Sequence, residues 1–105
     1  MTPNYRFTLV GLAVAILTLT GCTRGADISG GETLAVEAGC VACHGTNGLG
    51  TGPTFPNING QHANYLYDQL KRYRTGERVN VIMNEQVKQL SLDELDLLAR
   101  YYAAQ

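Results

Sequence analysis

Two thiols and an imidazole stand within five consecutive residues, Cys40-Val41-Ala42-Cys43-His44. This is the C-x-x-C-H spacing. The thiols lie about one helical turn apart and reach the two vinyl groups on one edge of a porphyrin, where they form thioethers. The next residue then falls beneath the ring, where an imidazole nitrogen binds iron. A covalent link of this kind keeps a cofactor in a domain with little core to hold it. Other chemistries of the same residues ask for different surroundings. A redox pair of the thioredoxin kind needs a βαβ setting. A Cys40–Cys43 disulfide leaves His44 without a role. A zinc site would need the neighbours Cys43 and His44 to converge on one tetrahedral ion, and no second C-x-x-C is available.

An iron held by His44 has a second axial position. Its candidates are Met83, His62, Lys71, Lys88, or no side chain at all. Met83 is the only methionine after Met1. It lies in Val79-Asn80-Val81-Ile82-Met83-Asn84, which reads as a loop before the last helix. A lone methionine among aliphatic residues also suits a core, so position alone leaves the role open.

The elements that must position these residues are short and helical. Leu34, Ala35 and Ala38 mark a helix from Glu32 to Gly39, with Ser29 and Glu32 spaced as a capping box across Gly30-Gly31. Gly45 to Gly60 carries five glycines, Pro53 and Pro56, so it is an irregular loop. A loop this long in a small domain is functional or wrapped around something, and haem is the expected object. His62 to Arg74 forms a helix with Tyr65, Leu66, Gln69, Leu70 and Tyr73 along one stripe and Gly76 as its stop. Ser91 opens the final helix, with Glu94 completing a capping box and Leu90 and Leu95 set for a hydrophobic staple. Asp93 and Asp96 favour its positive end, and Leu95, Leu98, Ala99 and Tyr102 make its buried face. The expected class is all-α.

The start of the chain has a different character. Phe7 to Leu19 is apolar and uncharged after a short segment with one cation, Arg6. This is a signal-peptide pattern, too short for a comfortable membrane span of roughly 20 residues. Leu19-Thr20-Gly21-Cys22 resembles the lipobox of bacterial lipoproteins, in which cleavage precedes a cysteine that carries lipid. The expected organisation is a signal peptide over 1–21, lipid on Cys22, a flexible tether over 22–31 and a haem domain over 32–105. With Cys22 lipidated, the other two of the three cysteines form the C-x-x-C pair. Loss of Arg6 leaves seven basic against nine acidic side chains, which gives no case for a nucleic-acid partner. Lys71, Arg72, Arg74 and Arg78 cluster near a helix C-terminus, where they offset the dipole or form a patch for an acidic redox partner.

From Gly31 to Gln105 the chain resembles class I bacterial cytochromes c, small electron carriers that share C-x-x-C-H-G, P-x-x-x-G-Q, Y-x-x-x-Q-L, G-x-R, a distal methionine and a final helix ending in aromatics. The matching residues are Cys40 to Gly45, Pro56 to Gln61, Tyr65 to Leu70, Gly76-Glu77-Arg78, Met83, and Leu95 to Tyr102. Asn59 departs from the small residue common at its position, which affects no ligand. The resemblance implies short helices and loops around one covalent haem c, with iron held by His44 and Met83. It implies that the Pro56 carbonyl accepts from His44, and that His62 is a surface residue. Gln61 and Arg78 are candidates for contacts with the haem propionates. The expected function is one-electron transfer between extracytoplasmic redox proteins, without catalysis. The expected location is the periplasm, on a lipid anchor, with the outer membrane favoured because Thr23 rather than Asp follows Cys22. Two rival readings are an electron-entry subunit of a larger oxidoreductase, and a gas sensor should Met83 stay off the iron.

Overall fold

Ser91 and Glu94 cap the last helix reciprocally. The Glu94 N–H donates to Ser91 Oγ at 3.2 Å, and the Ser91 N–H donates to a Glu94 carboxylate oxygen at 2.7 Å. The helix that follows carries most of the core. In the computed structural model, which describes residues 27–105, it is the last of five: α1 (Gly31–Glu37), α2 (Cys40–His44), α3 (Ala63–Thr75), α4 (Val81–Val87) and α5 (Leu92–Ala103). No strand occurs among the described residues. The expected signal peptide and Cys22 lie outside them.

Helix α5 packs against α1 on one side and α3 on the other. Leu95, Leu98, Ala99, Tyr101 and Tyr102 are its buried residues, joined by Ala35 of α1 and Val87 of α4. Each large side chain of this set contributes roughly 1.5–3 kcal/mol by leaving water. The α1–α5 contact is close because Gly31 has no side chain. A Cβ there would meet Tyr101 Cβ at 2.6 Å. Helix α3 contains no fully buried residue. Its Leu66 and Leu70 pack against the Leu98–Tyr102 cluster and also face a cavity.

Three expectations need correction. Val79 to Asn84 is not a loop throughout, because α4 begins at Val81 under an Asn80 cap whose side-chain oxygen accepts from the Met83 N–H. The Val79-Asn80-Val81-Ile82-Met83 stretch hid a helix too short to show a periodic pattern. Ser29 does not cap α1. Gly30 does, at φ 82° and without a side-chain bond, while the Ser29 N–H donates to Asp27 Oδ1. The left-handed glycine turns the chain one residue too late for Ser29 to reach the helix. The tether does not extend to residue 31. The Gly31 N–H donates to the Ile28 carbonyl, and Arg100 Nη1 of α5 donates to the Asp27 carbonyl. Bonds to the helical domain therefore reach back at least to Asp27.

Candidate haem site

Helix α2 is a single turn, and it is held from two directions. Thr51 Oγ1 donates to the carbonyls of Ala42 (3.0 Å) and Cys43 (3.2 Å), and its N–H donates to Cys43 O at 2.9 Å. These bonds satisfy carbonyls that a helix end otherwise leaves open. From α5, Tyr101 OH donates to Thr46 O (2.6 Å) and Tyr102 OH to Gly45 O (3.1 Å). Two successive tyrosines thus grip two successive carbonyls just beyond His44. Burial raises the hydroxyl pKa of both, most for Tyr102, with Cys40 and Tyr101 adding to that rise.

His44 Nδ1 lies 2.9 Å from the Pro56 carbonyl oxygen. A carbonyl only accepts, so Nδ1 carries the proton and the Nε2 lone pair is free to bind a metal. The loop that brings Pro56 here folds back tightly. Gly50 lies so close to Phe55 that a Cβ would stand 1.8 Å from its carbonyl oxygen, and the Gly50 N–H donates to Asn57 Oδ1 at 2.8 Å.

Cys40, Cys43 and His44 open into a cavity of about 560 Å³, within the roughly 300–1,000 Å³ typical of ligand sites. Phe55, Pro56 and Ile58 line it from the loop, Leu66, Leu70 and Tyr73 from α3, Ile82, Met83 and Val87 from α4, and Leu98, Ala99 and Tyr102 from α5. The donor set and the apolar walls fit an iron porphyrin. Two thiols stand at one edge, an oriented imidazole and a thioether share the space, and carbon-rich surfaces surround them. Burial pushes the Cys40 thiol pKa up, the opposite of what a reactive C-x-x-C pair requires. Among the described residues, no group of three or more His, Cys, Asp and Glu is placed to hold a metal ion, so a zinc site has no donor set there.

Of the candidates for the second axial position, Met83 lines the cavity, whereas His62, Lys71 and Lys88 do not. His62 is exposed at the start of α3. Gln61 and Arg78 reach the cavity wall. Arg78 Nη1 donates to Gln69 Oε1 at 2.8 Å, and its guanidinium lies 4.7 Å from the Tyr73 ring centroid. The basic cluster is partly neutralised. Arg72 pairs with Asp68 at 2.7 Å and with Glu77 at 3.6 Å, and Lys71 sits 4.6 Å from the Tyr67 ring centroid.

The hydroxyls of Tyr101 and Tyr102, the Thr51 side chain and Asn84 escaped sequence reasoning. Each acts on backbone atoms distant in sequence. The Tyr101-Tyr102 pair at the end of an amphipathic helix was the one available signal, since buried tyrosine hydroxyls seek acceptors.

A family model described as cytochrome c matches residues 28–101. Cytochrome c-554(548) of Halomonas halodenitrificans is 42% identical over 69 residues, covering 63% of this chain and 83% of that protein. A thiosulfate dehydrogenase electron acceptor of Stutzerimonas stutzeri is 43% identical over 67 residues, covering 61% of this chain and 31% of that one. The solved structure of Acidithiobacillus ferrooxidans cytochrome c4 superposes with a TM-score of 0.68 at 30% identity, over 76% of this chain and 50% of that chain. The chain therefore spans most of the first relative, about a third of the second and half of the solved chain.

Proposed function

This chain belongs to the cytochrome c family, and from that premise we propose that it carries single electrons on one haem c, attached through Cys40 and Cys43, with His44 and Met83 as axial ligands. Its relatives are electron carriers with covalent haem c rather than enzymes. The observation that carries the ligand assignment is the meeting of Cys40, Cys43, His44 and Met83 in one cavity that none of the competing ligands lines.

When bound, the haem iron supplies the one-electron couple. The chain's residues do the rest. The Cys40 and Cys43 sulfurs fix the position of the ring edge. The Pro56 carbonyl holds the His44 proton on Nδ1, which aims Nε2 and raises its basicity. The Met83 thioether, which lines the same cavity as His44, would be the second protein ligand and would leave the iron no open position for oxygen or peroxide. Its weak, neutral donation favours the reduced state relative to a second imidazole. Phe55, Ile58, Leu66, Leu70 and Leu98 keep water from the iron. Gln61 and Arg78, which line the cavity, would meet the propionates.

The partners are redox proteins, a reading supported by relatives named as electron acceptors of thiosulfate dehydrogenase. Residues 1–21 serve as a signal peptide, and Cys22 carries diacylglycerol with an N-acyl chain, enough for stable anchoring. The domain from Asp27 onward then sits in the periplasm, close to a membrane, with the outer membrane favoured. Cys22→Ser should leave an uncleaved precursor or a soluble form, without lipid on the chain. A wild type already wholly soluble there contradicts lipidation.

Ferric wild-type protein should be low-spin, with a weak sulfur-to-iron absorption in the far red. Met83→Ala should abolish that absorption, lower the reduction potential and admit exogenous ligands. Met83→His should stay low-spin at a lowered potential. A far-red absorption that survives Met83→Ala rules out this ligand.

A further inference from the structure

Little apolar packing holds the chain just before Met83. Val79 and Val81, which do not line the cavity, are 81 and 80% exposed. Within α4 only Val87, at the far end, is buried, and a helix of this length is marginal by itself. A thioether is a weak donor, so its hold on iron depends on how firmly the backbone beneath it is fixed.

We propose that Asn84 is a positioning residue that pins the Met83 turn of α4 to the C-terminal end of α3. This rests on Met83 being the second axial ligand. Asn84 Nδ2 donates to the Tyr73 carbonyl of α3 and, at 3.0 Å, to the Arg78 carbonyl of the connecting segment. Its Oδ1 accepts from the Asn80 N–H at 2.8 Å. Asn80 in turn accepts from the Met83 N–H at 3.0 Å. One amide therefore joins three chain segments, and the ligand's own N–H is a single bond removed from the junction. Tyr73 and Arg78 also line the cavity, so the hook ties the ligand to the wall it must face. Asn84→Ala leaves two carbonyls and one N–H without these partners. Asn84→Asp keeps the shape but turns a carboxylate toward two carbonyl oxygens, which is worse.

The test is a titration of ferric holoprotein with imidazole, which competes with Met83 for iron, followed at the far-red absorption. Asn84→Ala should raise the apparent imidazole affinity about tenfold. Asn84→Asp should raise it further and weaken the absorption before imidazole is added. Covalent haem and helical dichroism should persist in both. Ser91→Ala loosens the domain at the α5 cap, whose side-chain bonds do not involve this turn, and should stay within about twofold of wild type; an equal rise there assigns the effect to general destabilisation and overturns the proposal. Wild-type affinity in both Asn84 variants also overturns it, while leaving Met83 as ligand intact. Should Asn84→Ala fail to accumulate as holoprotein, Asn84→Gln, which misplaces the same donors by one methylene, takes its place, with a rise expected and no rise contradicting. A wild type without far-red absorption removes the Met83 assignment and this proposal together.

Discussion

At the scale of single residues, the site is built on hydrogen bonds to backbone carbonyls. Pro56 orients His44, Thr51 closes α2, and Tyr101 and Tyr102 hold the two residues after it. Tyr102 is 4% exposed, so removing its hydroxyl leaves an acceptor poorly satisfied. Tyr102→Phe should cost about 1–3 kcal/mol in denaturant unfolding of the holoprotein at neutral pH. Its pH dependence has a definite sign. The Tyr102 pKa is raised in the folded state above its ordinary value of 10. The stability tied to the neutral hydroxyl is thus complete below pH 10 and is lost as pH climbs toward the folded value. The deficit of Tyr102→Phe should narrow above pH 10, and a gap that stays constant there would mean that the hydroxyl does not titrate differently on folding.

At the scale of elements, legibility followed how local each signal was. Helix α5 was readable from its start because Ser91 and Glu94 are three residues apart and act on each other. Helix α3 was readable from its stripe and from Gly76. Helix α4 was missed, since Asn80 looked like a loop residue and the apolar run showed no period. The cap of α1 was misread because Gly30 took the turn that Ser29 was expected to make. The link from His44 to Pro56 came only through resemblance to a family, since the two lie twelve positions apart across an irregular loop. The bonds of Asn84 and Thr51 had no local signature at all. The cap of α5 also carries a pH signature. The Ser91 N–H and hydroxyl hold the Glu94 carboxyl below its ordinary pKa of 4.5. Its stabilisation is present above that value and disappears as pH falls through the folded pKa. Thermal melts of Glu94→Gln should lie below wild type at neutral pH and converge with it in acid. Melts that remain parallel through the acid range would show that the charged cap contributes nothing.

At the scale of the whole molecule, the protein core is thin. Ala35, Val87 and five residues of α5 are the buried hydrophobic residues among those described. A core of this size supplies only about 3–5 kcal/mol, so a covalent haem against the inner faces of α3, α4 and the Gly45–Gly60 loop completes it. That architecture suits a carrier: should His44 and Met83 both bind the iron, as proposed, no open position would remain there for a substrate. The most direct measurement exposes the dithionite-reduced holoprotein to carbon monoxide near neutral pH. A carrier ligated by His44 and Met83 keeps its reduced spectrum unchanged over the time in which Met83→Ala converts fully to the carbon monoxide form. Rapid and complete binding by the wild type would contradict that account and assign the open iron to a sensor or an enzyme.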